Sequence, residues 1–262
     1  NAKTGSVFSA IISDENSGSN SYELCYQYIY DSRNRLVEKK IPGKGWEYII
    51  YNKLDQPVLT QDANQRENNE WLFTKYDAFG RVIYTGIYLD GNTRVGMQEM
   101  AYDESEIIYE SRSSTPLNID GTTCYYTNNA FPLENGTLEV LTINYYDHYD
   151  FDTSATAPTS ILGQSVAIDT KGLATGSKVR VLDTDDWITI TSYYDKKGRP
   201  IYTHSNNEYH NTVDVTSMEL DFTGKVLETQ SSHTRNSAAA IETTETFAYD
   251  HAGRLLTHHH QI

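Results

Sequence analysis

Short runs in which apolar and aromatic side chains alternate with polar ones recur along the chain, and each run ends in a cluster of turn-forming residues. Tyr26, Tyr28 and Tyr30 recur with a period of two, which is the pattern of a strand, and Trp46 to Tyr51 and Trp71 to Tyr76 read as further strands between polar turns. Apolar pairs open the return runs: Leu36-Val37, Val58-Leu59, Val82-Ile83, Val226-Leu227 and Leu255-Leu256. Pro42-Gly43-Lys44-Gly45 reads as a reverse turn at the opposite edge, and 62–69 as a longer polar connection. No 3.6-residue period stands out. Ala238-Ala239-Ala240 is the one helix-friendly spot, and the Thr-rich run after it favours strand. The predicted class is all-β, built from repeated antiparallel hairpins.

The best-formed punctuation is Tyr76-Asp77-Ala78-Phe79-Gly80-Arg81-Val82-Ile83. Copies start at Tyr30, Tyr51, Tyr194, Leu220 and Tyr249. Their second column reads Asp31, Asn52, Asp77, Asp195, Asp221 and Asp250, short side chains that bond to their own backbone in turns. The fifth column reads Asn34, Asp55, Gly80, Gly198, Gly224 and Gly253, the residue types that best tolerate positive φ. A sixth column of Arg35, Gln56, Arg81, Arg199, Lys225 and Arg254 can reach back to the opening Asp or lie over a Tyr ring of a neighbouring hairpin. Pro57 and Pro200 stand at a first strand position, where sheets accept proline. These columns describe one hairpin turn, and they are the structural residues of interest.

The copies are spaced by 21, 25, 118, 26 and 29 residues. A period in the twenties marks a supersecondary unit that buries its apolar face only by stacking on neighbours. Tyr102-Asp103 and Tyr146-Asp147 read as degraded copies inside the long gap, with insertions near 111–138 and 152–186. The first insertion carries Asn135-Gly136, a type I′ turn signal that outweighs its formal glycosylation sequon. The second begins with a polar stretch, 153–160, expected as a surface loop. Residues 1–20 read as a leading strand and polar loop, and 21–262 as the repeat region.

Tyr-Asp-x-x-Gly-Arg-Leu at this spacing resembles the YD repeat of Rhs proteins, of the shell components of insecticidal Tc toxins and of teneurins. The segment from Gly172 to Leu182, with Trp187 and Tyr193 to Pro200, is similar to a long variant in large proteins of bacteria with type IX secretion. The resemblance covers about residues 20–262. It implies an antiparallel sheet running as a continuous ribbon that winds into a spiral or shell. In such proteins the shell encloses or presents a variable C-terminal cargo, often a toxin. The implied partners are further repeats of a longer parent protein, an encapsulated cargo, and a secretion or surface component. The family's cargo-releasing aspartyl protease segment is not recognisable here. Edges without an evident cap add the expectation of more repeats after Ile262 and before Asn1, and of association through those edges.

Composition narrows the chemistry. Tyrosine supplies 21 residues against 7 Phe and 3 Trp, and its apolar ring with a wet hydroxyl suits a half-buried sheet face. The row Tyr26, Tyr28 and Tyr30 is expected to share one face and be substantially buried. A net charge of −15 opposes generic nucleic-acid or anionic-membrane binding, and no apolar run is long enough for a membrane-spanning helix. Cys25 and Cys124 are too few for a disulfide framework and are expected as buried thiols. In His258-His259-His260 at most two rings share a side, so surface histidines are expected. Asp183, Asp185 and Asp186 lack the pattern of an EF-hand loop and read as a solvated turn. Carboxylates at Asp103, Glu104 and Glu106, or Asp147 and Asp150, have the residue types of a glycoside-hydrolysis pair, but Asp103 and Asp147 occupy the turn-opening column and an acidic chain offers many such pairs by chance. No nucleophile, Walker or cysteine-ligand motif occurs. The expectation is therefore no catalytic residue, no cofactor and no metal. The alternative to a scaffold is a surface adhesin that binds glycans through Trp46, Trp71, Trp187 and the Tyr rows.

Overall fold

The structure is a computed structural model that describes residues 7–8, 24–103, 107–133 and 137–262. The expected leading loop (apart from 7–8) and the Asn135-Gly136 turn lie outside the described residues. The chain divides into two compact units, Asn1–Val140 and Leu141–Ile262.

In the first unit the strands are β1 (Val7–Phe8), β2 (Gln27–Tyr30), β3 (Leu36–Lys40), β4 (Trp46–Tyr51), β5 (Pro57–Gln61), β6 (Glu70–Tyr76) and β7 (Val82–Leu89). They pair antiparallel in sequence order, so every hairpin neighbours the next. β8 (Arg112–Ile119) and β9 (Thr122–Tyr126) form a separate hairpin through Asp120 and Gly121, both at positive φ. β10 (Thr137–Asp147) follows and lies beside β7 in the sheet. The core gathers Ile50, Leu59, Trp71, Phe73, Ile83, Tyr84 and Tyr88, all essentially inaccessible to solvent.

Two helices depart from the all-strand reading. α1 (Ala63–Glu67) occupies the polar connection, where Asp62 and Gln65 form a reciprocal capping box. α2 (Arg94–Asp103) contains Tyr102-Asp103, which is therefore no hairpin copy. It buries Met97 and Ala101 against the sheet, and that tertiary cover outweighs a sequence with Gly96 inside it. Ala238-Ala239-Ala240 is not helical; it lies between strands.

The second unit takes the rest of β10 and then β11 (Ser160–Ile161), β12 (Gln164–Ser165), β13 (Thr170–Arg180), β14 (Trp187–Tyr194), β15 (Pro200–Asn207), β16 (Thr212–Leu220), β17 (Val226–Arg235), β18 (Ile241–Tyr249) and β19 (Leu255–Gln261). β10 and β13 to β19 again pair antiparallel in order, and β11–β12 is a small separate hairpin. Tyr146-Asp147 does not open a short turn either. Asp147 pairs with Thr170 across an excursion of the chain, with register shifts on both sides of Tyr146. That excursion supplies Tyr149 and Phe151, which stack on Tyr193 and Tyr145 at centroid distances of 4.4 and 4.3 Å. Among the described residues after Ile201 no apolar side chain is buried, because both faces of β16 to β19 are rich in Ser, Thr, Glu and His.

Candidate functional site

The six turns share one bonding scheme. The second-column N–H donates to the sixth-column carbonyl at 2.8–3.0 Å, and the fifth-column N–H donates back to the second-column carbonyl at 2.9–3.1 Å. One side-chain oxygen of Asp31, Asn52, Asp77, Asp195, Asp221 or Asp250 accepts from the backbone N–H groups two and four residues on. The carboxylate's other oxygen binds the sixth-column guanidinium of Arg35, Arg81, Arg199 or Arg254 at 2.6–2.7 Å. In the Asn52 copy an amide pair with Gln56 replaces the ion pair, at 2.8 Å. In the Asp221 copy the Thr223 hydroxyl takes that place. The fifth column lies in the left-handed region throughout: Asn34 at 60°, Asp55 at 62°, Gly80 at 78°, Gly198 at 74°, Gly224 at 99° and Gly253 at 80°.

Each loop closes on a β-bulge that the column pattern does not announce. The register slips just before the first-column residue, so Tyr30 faces Leu36, Tyr76 faces Val82 and Tyr249 faces Leu255. The extra residue lets a five-residue loop join strands that keep their pleat.

Consecutive copies are tied together by the same columns. The hydroxyls of Tyr51, Tyr76 and Tyr249 donate to the carbonyls of Leu36, Pro57 and Val226, each the seventh-column residue of the copy before, at 2.7–2.9 Å. Sixth-column cations reach forward: Arg35 binds Asp55 at 2.7 Å and lies 4.7 Å over the Tyr51 ring, and Arg199 donates to the Asp221 carbonyl at 2.9 Å. Lys225 lies 5.5 Å over the Tyr249 ring. The next turn's fifth column leaves space for this group. A Cβ on Gly253 would stand 2.8 Å from Lys225 Nζ, and one on Gly224 would stand 3.4 Å from Arg199 Nη1.

Inserted segments use the backbone exposed at the bulges. Gln98 of α2 donates to the Tyr51 carbonyl at 2.8 Å and accepts from its N–H at 3.1 Å. Gln164 of β12 does likewise at Met218 and Leu220, at 2.7 and 3.1 Å. The Glu110 N–H donates to Tyr76 and the Ala167 N–H to Tyr194. Sequence reading missed these anchors, since nothing local marks a glutamine 47 residues away as a strand's partner.

A further group missed by the sequence is buried. Lys75 and Glu110 lie 3.2 Å apart with side chains 1% and 0% exposed. Lys75 also donates to the Ala130 carbonyl at 2.8 Å and to Asn128. Glu110 accepts from the Thr127 hydroxyl and from the N–H groups of Asn129 and Ala130 at 2.6–2.9 Å. The pair fixes the insertion onto β6.

Expected ligand contacts are placed otherwise. Trp71 is fully buried and donates to the Asp90 carbonyl at 3.1 Å, and Trp187 is 7% exposed with Lys178 Nζ 5.4 Å over its ring. Trp46 is half-buried. Neither Trp71 nor Trp187 can stack on a sugar, because each fills the core under its own strand pair. The row Tyr26, Tyr28 and Tyr30, expected to be buried, is 58%, 37% and 37% exposed. Asp183 and Asp185 sit in the turn before β14, where Arg180 binds Asp185 at 2.7 Å. Cys124 is buried and Cys25 half-buried.

The turn carboxylates Asp31, Asp195, Asp221 and Asp250 are all held below the usual carboxylate range, and the partly buried Asp31 and Asp195 set a pH dependence. Burial pushes Asp31 and Asp195 up, but the N–H groups and guanidinium of Arg35 and Arg199 outweigh it and hold both below the usual carboxylate range. A carboxyl whose folded value is depressed stabilises the fold above its unfolded value and loses that contribution as pH falls through the folded one. The window is thus below about pH 4. Asp195→Asn keeps the two backbone N–H bonds that Asn52 accepts in its own turn, though Arg199 offers its amide no acceptor. It also removes the titrating carboxyl, so its acid-unfolding limb should be shallower than wild type in a circular-dichroism pH titration. An unchanged limb would count against the turn carboxylate as its source.

The turn geometry also makes a substitution test. At Gly198 the nearest neighbour of a Cβ is Leu173 at 3.6 Å, so the cost there is conformational rather than steric. Gly198→Asn should cost little, and Gly198→Val more than the roughly 1–2 kcal/mol of an ordinary left-handed residue, measured by urea unfolding. Equal costs would remove φ as the reason for glycine.

No family model matches the chain, and no curated protein matches it. Solved structures are similar at low level. A crystal structure described as TcdB2-TccC3-TEV aligns with 90% of this chain and 12% of its own, at 14% identity and a TM-score of 0.28. The TcdB2-TccC3-Cdc42 crystal structure aligns at 14% identity and a TM-score of 0.20, over 90% of this chain and 16% of its own. The Photorhabdus luminescens Tc holotoxin pore aligns at 12% identity and 0.21, over the same shares. The chain spans well under a fifth of the length of each.

Proposed function

We propose that this chain is a non-catalytic structural section of a YD-repeat ribbon, one stretch of the wall of a shell or scaffold. The parent is a large bacterial secreted or surface protein, and the wall encloses or presents a C-terminal cargo or toxin. One observation carries the reading: the polar side chains of the motif hold their own turn and clip it to the next one. The Asp accepts inward, the Arg or Lys reaches forward, and the Tyr hydroxyl reaches back. Such residues build a wall, and the reading assigns none of them to a reaction. The test is limited proteolysis of the full-length parent. The region after the repeats should resist digestion in the intact protein and be cut rapidly when expressed alone. Equal cutting in both forms would overturn the shell reading.

A second reading, a glycan-binding adhesin, draws on the exposed face of Tyr26, Tyr28 and Tyr30. Rows of exposed rings two residues apart offer stacking surfaces. A glycan array probed with the 262-residue chain separates the two: the scaffold gives no saturable binding, whereas an adhesin gives binding that Tyr28→Ala removes.

A further inference from the structure

The buried group on β6 holds a chemistry that the turn columns do not use. The Lys75 amine stands where three acceptors meet: Glu110 Oε1 at 3.2 Å, the Ala130 carbonyl at 2.8 Å and the carboxamide oxygen of Asn128. The lysine and glutamate side chains are 1% and 0% exposed. Tyr84 faces Lys75 across the β6–β7 pair, and the Tyr126 ring meets Tyr84 edge-on at 5.7 Å; both rings are buried. The Thr127 hydroxyl and the N–H groups of Asn129 and Ala130 hold the Glu110 carboxylate in place. An amine, a carboxylate and a carboxamide carbonyl are thus together, with the first two shut off from water.

We propose that Lys75 and Asn128 become joined by a side-chain amide bond, with Glu110 relaying the protons. A dry site disfavours separated charges, so the ammonium can pass a proton to Glu110 along their hydrogen bond. A lysine amine freed of its charge by burial is a nucleophile. Turning about its Cε–Nζ bond, it reaches the Asn128 carbonyl carbon, one bond beyond the oxygen it already touches. The Nζ–Cγ bond forms as the carbonyl electron pair moves onto Oδ1. When that pair returns, the Cγ–Nδ2 bond breaks. Glu110 gives its proton to the departing nitrogen and takes one from Nζ. The ammonia leaves with that last proton as ammonium, the carboxylate ends as it began, and nothing is oxidised or reduced. Asn128 is half-buried, which gives the ammonia a way out, while burial of Lys75 and Glu110 keeps competing water from the reacting amine. The fold supplies the approach, which is what so slow a reaction lacks in solution. The bond would join residues 53 apart, across β7, α2, β8 and β9, and tie β6 covalently to the insertion. In a chain that has reacted, the amide stands in place of the ion pair.

The test is the intact mass of the folded 262-residue chain, taken after denaturation and followed by peptide mapping. The chain should weigh less than its sequence by one ammonia, and the map should contain a branched peptide that joins Lys75 to Asn128. Lys75→Arg keeps the positive charge and Asn128→Ala keeps the ion pair, and both should show the full mass of their sequences. Glu110→Gln should also keep its full mass, with lysine and asparagine both present. The wild-type measurement needs no variant, so it decides the matter even where Glu110→Gln fails to fold. Full sequence mass in the folded wild-type chain would overturn the bond and leave Asn128 as the ammonium's third acceptor. Loss of ammonia confined to a single unbranched peptide would overturn it too. A branched peptide that persists in folded Glu110→Gln would remove Glu110 as the relay.

Discussion

Lys75→Met should destabilise the first unit by about 3–5 kcal/mol, the cost of stranding one charge of a buried pair. Both side chains are shut off from water, and the ammonium is met by Glu110, Asn128 and the Ala130 carbonyl. Without it, the buried Glu110 carboxylate loses its counter-charge and is left to the Thr127 hydroxyl and the N–H groups of Asn129 and Ala130. Glu110→Gln should be costly for the converse reason. In the double variant neither charge remains, so its loss should fall short of the sum of the singles by more than about 1 kcal/mol. Urea unfolding followed by tryptophan fluorescence gives the energies, and amide exchange over 107–130 reports where the structure loosens. Additive singles of under about 1 kcal/mol each would show that the pair does not hold the insertion to β6.

Gly86→Ala is expected to be as damaging, for a reason of space. A Cβ there would stand 1.9 Å from the Glu139 carbonyl oxygen and 2.7 Å from Phe73 Cε1. The first of these is backbone of the adjoining β10, so it cannot turn aside as a side-chain tip would. Overpacking of this kind costs about 1–3 kcal/mol where neighbours yield, and here the upper end or beyond is expected. Gly172→Ala is the contrasting substitution, with φ at +82° and nothing within 4 Å of a Cβ. It should cost only the left-handed penalty of about 1–2 kcal/mol. If the two variants melt alike, close approach of β10 is not what selects glycine at 86.

The alternation of strands and the columns of the turn were legible because they are local. A period of two, an Asp that bonds two and four residues on, and a left-handed fifth residue act within eight residues of chain. The sixth column offered Arg35 either its own Asp31 or a neighbouring Tyr ring, and the structure gives it both. The bulge was not legible, because it is a property of register between two strands rather than of either one.

What only tertiary structure decided begins with the long gap between the third and fourth copies and extends beyond it. Tyr102-Asp103 carries the motif's first two letters, yet burial of Met97 and Ala101 and the Gln98 bridge to Tyr51 make that segment a helix. Their residue type makes Trp71 and Trp187 candidate glycan contacts, but which side of a strand meets a core depends on what is laid across it, and both are buried. The same holds in reverse for Tyr26, Tyr28 and Tyr30, which alternate correctly and face outward. Lys75 with Glu110, and Glu245 with His258 and His260, join residues 35, 13 and 15 apart in sequence. Local sequence sets hairpins because their interactions close within one turn; burial and pairing of charges depend on strands that meet only once the ribbon has folded.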